Sequence, residues 1–205
     1  ENGHMKQKRQ CDYVHAIMFD MLSDEEKRIA CDELNEMIVQ NEYHLNTGFL
    51  STYELLRVLT DYGHEETAWN LMLQKTCPGW LYQLQFGATT VWEDWRGIEE
   101  GKAPKDSMNH YSFGTYAGWL MDRAAGIRIN RDKIQIHPYP DKRIGYVKAS
   151  YHSPQGEIVS SWEFTDTLFR MKVQIPSNTK AEVTIPDGRC HHVGPGEYTF
   201  EKEIW

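Results

Sequence analysis

The nine residues Gly87-Ala88-Thr89-Thr90-Val91-Trp92-Glu93-Asp94-Trp95 hold the densest group of side chains able to do chemistry in this chain. Two adjacent acids, Glu93 and Asp94, lie between Trp92 and Trp95. An aromatic wall strips water from a carboxyl group, and loss of water raises its pKa toward the range useful for proton transfer. Tryptophan faces also stack on the C–H faces of sugar rings. A sugar-processing site is therefore one reading of this stretch. The other is a solvated turn beside core tryptophans, and the stretch alone leaves both open.

Histidine offers less. His110, in Asn109-His110-Tyr111-Ser112-Phe113-Gly114, stands just before or within the last expected helix. A lone histidine there is more often a hydrogen-bonded structural residue than a catalytic one. His191 and His192 are adjacent in a stretch that reads as a strand. Neighbours on a strand point to opposite faces, so the two do not readily share a metal. There is no HExxH, P-loop or GxSxG elbow. No metal and no cofactor are expected.

The elements that must position these groups fall into two kinds. From about residue 10 to 125 the apolar spacing is helical. Tyr13, Ile17, Met18 and Leu22 suggest a first helix. Ser23 with Glu26 forms a capping-box pattern that opens a second to about Asn41, its face made by Ala30, Leu34, Met37 and Ile38. Tyr53, Leu56, Leu59 and Tyr62 suggest a third, stopped by Gly63. Glu65 to Met72 suggests a fourth, ended by Pro78, and His110 to Ala125 a fifth. Between these last two, Cys77 to Asn109 has weak periodicity but carries Trp80, Trp92 and Trp95, and a long irregular segment inside a helical domain is usually functional when it is not disordered.

After Gly126 the pattern alternates. Lys133–His137, Tyr146–Ser150, Glu157–Trp162, Phe169–Ile175 and Ala181–Ile185 read as short strands, punctuated by proline and glycine. The best hairpin signal runs from Tyr151 to Val159. An antiparallel sandwich is expected. The organisation is thus a multidomain α and β chain, with a helical part over residues 6–126 and a β-sandwich over 127–205.

The bulk numbers agree with a folded chain. It has 205 residues with 40% hydrophobic and 12% aromatic content, enough apolar area to offset chain entropy. A net charge of −8 without a basic stripe argues against a nucleic-acid partner. No apolar run approaches the ~20 residues needed to span a bilayer, so no membrane partner is expected. Cys11, Cys31, Cys77 and Cys190 have no regular spacing and read as reduced thiols. Glu1-Asn2-Gly3-His4-Met5 resembles an expression-vector remnant, and the helical pattern then begins without a lead-in.

Several blocks, in order, resemble the α-L-rhamnosidases of glycoside hydrolase family 78. They are His44-Leu45-Asn46-Thr47-Gly48-Phe49-Leu50, Tyr62-Gly63-His64, Pro78-Gly79-Trp80-Leu81-Tyr82, GATTVWEDW at 87–95, NHYSFG at 109–114, Gly118-Trp119-Leu120 and Ala125-Gly126-Ile127. In the β part, Ala149-Ser150-Tyr151-His152-Ser153-Pro154-Gln155-Gly156 and Ser160-Ser161-Trp162 match as well. The resemblance spans nearly the whole chain from about Cys11.

The resemblance implies a partial (α/α)6 barrel of about five helices, then an antiparallel β-sandwich. It implies hydrolysis of terminal α-L-rhamnosides with inversion, and a rhamnose-containing glycoside as partner. Glu93 aligns with the general base that activates water, and His110 with a histidine of the sugar subsite. Trp92 and Trp95 flank the base and shape the pocket. In an inverting enzyme the paired acid stands roughly 6.5–9.5 Å from the base. The family's acid-rich block with that acid lies upstream and is absent here. Asp94 does not replace it, because neighbouring side chains diverge. Ser51 stands where the family commonly has glycine. An incomplete barrel leaves inward helix faces open to self-association. The alternative reading is a non-catalytic carbohydrate-binding or structural module.

Overall fold

The computed structural model describes residues 4–99, 101–131 and 133–203. Three residues of the expected vector remnant, 1–3, lie outside the described residues. The chain divides into two compact units, Glu1–Tyr116 and Ala117–Trp205.

The first unit is built on four α-helices: α1 (Gln10–Met18), α2 (Asp24–Gln40), α3 (Phe49–Asp61) and α4 (Glu65–Met72). The capping box at α2 forms as the pattern requires. Ser23 Oγ accepts from the Glu26 N–H, and Glu26 Oε2 accepts from the Ser23 N–H at 2.9 Å. α2 buries Ala30, Cys31, Leu34 and Ile38, with Cys31 taking the place expected of Met37. α3 buries Leu55, Leu56 and Leu59, whereas Tyr53 is half exposed. Two polar residues of its first turn are buried, and one of them, Thr52, satisfies its hydroxyl on Gly48 O at 2.8 Å and Thr47 Oγ1 at 2.7 Å. Ser51, also buried, lies in the same turn.

α4 stops at Met72, well short of Pro78. The Gln74 side chain gives the reason. Its amide donates to Glu42 O at 2.8 Å, and its carbonyl accepts from the Thr76 N–H and hydroxyl. These local bonds compete with a continued helix. The irregular stretch that follows contains a 3-10 helix, Trp80–Phe86, closed by Gly87 at φ +71°. Its buried residues, Trp80 and Gln83, are three apart, a period that a search for 3.6-residue spacing does not find. The expected fifth helix is not one helix. It runs as a 3-10 segment (Tyr111–Thr115), one α turn (α5, Tyr116–Trp119) and a π segment (Leu120–Ala124).

The second unit is a sandwich of two four-stranded sheets. Its strands are β1 (Ile127–Asn130), β2 (Lys133–Ile136), β3 (Tyr146–Ser153), β4 (Gly156–Phe164), β5 (Leu168–Ile175), β6 (Ala181–Thr184), β7 (Cys190–Val193) and β8 (Gly196–Glu203). The orders are β1-β2-β6-β7 and β3-β4-β5-β8. The pairing is antiparallel except for β2 with β6, which is parallel because the chain builds β3, β4 and β5 in the other sheet before returning. The β3–β4 hairpin turns on Pro154-Gln155, with Ser153 paired to Gly156. Inward residues of both sheets, among them Ile136, Ile158, Met171, Val173 and Val183, form the core around Trp162.

The π segment is fastened to that core. Helix C-termini leave carbonyls without intrahelical partners. Here Trp162 Nε1 donates to Ala124 O at 2.7 Å and Ser160 Oγ donates to Ala125 O at 2.6 Å, both from buried positions on β4. Gly126 follows at φ +82°, and a Cβ there would lie 2.3 Å from Pro138 N.

Candidate functional site

The site is assembled in the first unit, where the segment after Gly87 runs back against residues 107–110. His110 N–H donates to Val91 O at 2.8 Å, and Glu93 N–H donates to Ser107 O at 2.9 Å. The Ser107 N–H in turn donates to Glu93 Oε2 at 3.1 Å. Backbone pairing therefore fixes where Glu93 and His110 start, and one further amide fixes where the Glu93 carboxylate ends. The side chain of Glu93 remains partly exposed.

Asp94 turns elsewhere. Its carboxylate accepts from Lys105 Nζ at 2.7 Å and from the Arg96 N–H at 2.7 Å. The Lys105 hydrogen bond, then the Arg96 amide, hold its pKa below the ordinary aspartate value of 3.8. Desolvation opposes these bonds and loses, so the aromatic surroundings do not produce a raised pKa at this acid.

Trp92 and Trp95 have different jobs. Trp92 is 2% exposed, lies near Phe86 at 6.0 Å, and its backbone N–H is held by Gln83 Oε1. It anchors the segment from beneath. Trp95 stacks on Phe113 with ring centroids 3.9 Å apart and meets Trp80 edge-on at 5.6 Å. Trp80 is itself fixed by its indole N–H on Phe113 O at 2.8 Å. The Trp95 indole nitrogen is buried without a hydrogen-bond partner among the described residues.

His110 caps the 3-10 segment, its Nδ1 accepting from the Ser112 N–H at 3.3 Å. A nitrogen that accepts is unprotonated, which leaves the proton of a neutral ring on Nε2 as a donor. The imidazole lies nearly parallel to two rings, Phe49 at 4.9 Å and 16°, and Tyr111 at 5.3 Å and 9°. Phe49 also packs on Phe113 at 4.7 Å. The loop that delivers Phe49 is tied down by buried Gln10, which donates to His44 O and accepts from the Asn46 N–H, and by the Leu45 N–H on Pro78 O.

A run of rings thus leads from buried Trp80 through Trp95, Phe113, Phe49 and His110 to Tyr111, which is 87% exposed. Phe49, Phe113, Tyr111 and Ser107 were not singled out from sequence, although the first three sit inside the HLNTGFL and NHYSFG blocks. A neighbouring cavity of about 190 Å³, lined by Trp80, Gln83, Leu84, Val91 and Tyr116 among others, includes neither Glu93 nor His110. His191 and His192 lie in the other unit, with His191 against Phe200 and His192 exposed. Among the described residues no cluster of three or more His, Cys, Asp or Glu could hold a metal ion.

Residues 1–124 match the family model described as the bacterial alpha-L-rhamnosidase 6 hairpin glycosidase domain. The chain belongs to this family. Residues 132–199 match the bacterial alpha-L-rhamnosidase C-terminal domain. An alpha-L-rhamnosidase of Formosa agariphila is 36% identical over 195 residues, which is 91% of this chain and 21% of that protein. Among solved structures, the native α-L-rhamnosidase of Aspergillus terreus superposes with a TM-score of 0.92 at 27% identity, covering 98% of this chain and 25% of that one. The Streptomyces avermitilis alpha-L-rhamnosidase complexed with L-rhamnose gives 0.87 at 32% identity, covering 94% and 21%. The chain spans about a fifth of the length of the curated rhamnosidases it matches. Its helical unit is a section of the (α/α)6 barrel and its second unit is the β-sandwich of this family.

Proposed function

We propose that this chain is the C-terminal section of a longer inverting α-L-rhamnosidase, with barrel helices over residues 6–126 and the sandwich over 127–205. Glu93 is the general base that takes a proton from the attacking water. His110 donates from Nε2 to a hydroxyl of the bound rhamnose. Trp95 forms a wall of the sugar pocket, and Trp92 shapes it from below by holding the segment that carries the base. The general acid that protonates the leaving oxygen comes from the upstream part of the barrel.

The observation that supports this reading is the backbone pairing of 91–93 with 107–110, which sets the segments carrying Glu93 and His110 side by side in a six-hairpin glycosidase domain. Ser107 leaves the carboxylate partly open to solvent, as a base acting on water requires. Glu93→Gln in the full-length enzyme is expected to lower kcat by ~10²–10⁴-fold with the fold retained. An unchanged kcat would overturn the assignment. The 205-residue chain alone, lacking the acid, is expected not to turn over an aryl α-L-rhamnoside. Turnover above that of its own Glu93→Gln variant would count against the missing-acid argument.

A further inference from the structure

A second concave surface, of about 300 Å³, lies on the outer face of the β3-β4-β5-β8 sheet. That volume is at the lower end of the ~300–1,000 Å³ range of small-molecule sites. Strand register lines up two rows of outward side chains across it. One row is Tyr146, Glu163 and Arg170; the next is Lys148, Ser161 and Lys172.

The first row is already assembled. Arg170 is held between Glu163 at 3.2 Å and Glu201 at 2.7 Å, so its orientation is set before any ligand arrives. Tyr146 is 66% exposed at the end of β3. In the second row the Ser161 hydroxyl donates to Lys172 O at a long 3.5 Å, and the two ammonium groups stand open. Neither the Lys148 nor the Lys172 ammonium has an ion-pair partner among the described residues, and both side chains are exposed. They flank Ser161 from the two neighbouring strands, so their Cα atoms are roughly 10 Å apart, two strand spacings. In a chain of net charge −8 such unpaired cations around a hydroxyl favour an anion.

We propose that this face binds a carboxylate-bearing sugar, a hexuronate. Its carboxylate sits between Lys148 and Lys172 over Ser161, and its ring lies against Tyr146. Glu163 and Arg170 meet its hydroxyls. A bare tetrahedral anion would satisfy the lysines but leave Tyr146 and the fixed Glu163–Arg170 pair without a partner. A neutral sugar would use the tyrosine and leave the lysines unpaired. The site is separate from Glu93 and His110 and does not rest on the role proposed for them.

The test is a ¹H–¹⁵N NMR titration of the 205-residue chain at constant ionic strength with D-glucuronate, D-glucose, acetate and inorganic phosphate. Saturable shifts at Lys148, Ser161 and Lys172 with glucuronate are expected, with glucose about tenfold weaker for want of the charged contacts. Replacing both lysines, Lys148→Met with Lys172→Met, should weaken glucuronate by about tenfold or more. Tyr146→Ala should weaken it and Tyr146→Phe should not. Glucose binding as well as glucuronate would overturn the proposal. So would acetate or phosphate matching glucuronate, which would reduce the site to surface lysines attracting any anion, or the absence of saturable shifts.

Discussion

Phe49 and Ser107 act on the site without being the groups that sequence reading selects. Glu93, Trp92 and Trp95 stand out as candidates because carboxylate and indole carry their chemistry in their residue type, and His110 becomes one through the family resemblance. Ser107 was not, because it works through its backbone N–H and carbonyl, which every residue but proline supplies. Phe49 was not, because a phenylalanine at a helix start looks like core. Its parallel contact with His110 makes it a positioning residue for that imidazole. Aromatic pairs contribute about 0.5–1.5 kcal/mol, so Phe49→Leu in the full-length enzyme should weaken rhamnose binding roughly two- to tenfold, measured as Kd, while Phe49→Tyr restores it. Asp94 offers a check on the electrostatics. With its pKa lowered chiefly by Lys105, the pairing stabilises the folded state above the unfolded value near 3.8 and is lost as pH falls through the folded value. Carboxyl NMR should show Asp94 titrating below 3.8, and Lys105→Met should move it back upward. No change on removing Lys105 would mean the Arg96 amide sets the shift alone.

Elements were readable where a local rule dominates. The α2 capping box formed at the two residues that announce it, and Ser23→Ala should cost about 0.5–2 kcal/mol in denaturant unfolding. The β3–β4 hairpin followed from a proline that opens a two-residue turn and a glycine that closes it. Elements were missed where tertiary contacts override local pattern. β1, Ile127–Asn130, alternates, but it follows directly on the helical stretch and is hidden by it. β8 buries little beyond parts of Tyr198 and Phe200 amid charged neighbours. The 111–124 stretch read as one helix because each winding lasts only about one turn, too short for its own period to show. What fixes its end is the pair of bonds from Ser160 and Trp162. Ser160→Ala leaves the Ala125 carbonyl buried without its donor and should cost about 1–3 kcal/mol by thermal unfolding. Gly126→Ala meets both a positive φ and a backbone clash, and should be the more damaging of the two.

Across the whole molecule, the helical unit shows water several large apolar side chains, among them Tyr111 at 87% exposure, Leu50 at 79%, Met21 at 71%, Phe19 at 64%, Leu84 at 61% and Tyr53 at 50%. We expect the isolated chain to self-associate through these side chains, since extended apolar patches are rarely left open in a monomer. Light scattering after size exclusion should give a mass above 24.0 kDa at micromolar concentration. A monomer that binds no exposed-hydrophobe dye would refute this. The sandwich carries a different consequence, in the order of its assembly. The parallel contact of β2 with β6 joins Ile134 to Ala181, and the whole β3-β4-β5 meander lies between them. Closing that loop costs entropy before any contact rewards it, whereas the β3–β4 turn closes over a few residues. The meander should therefore form first and serve as the template onto which β6 returns. Kinetically, Ile158→Val on β4 should slow refolding, whereas Val183→Ala on β6 should leave refolding nearly unchanged and accelerate unfolding.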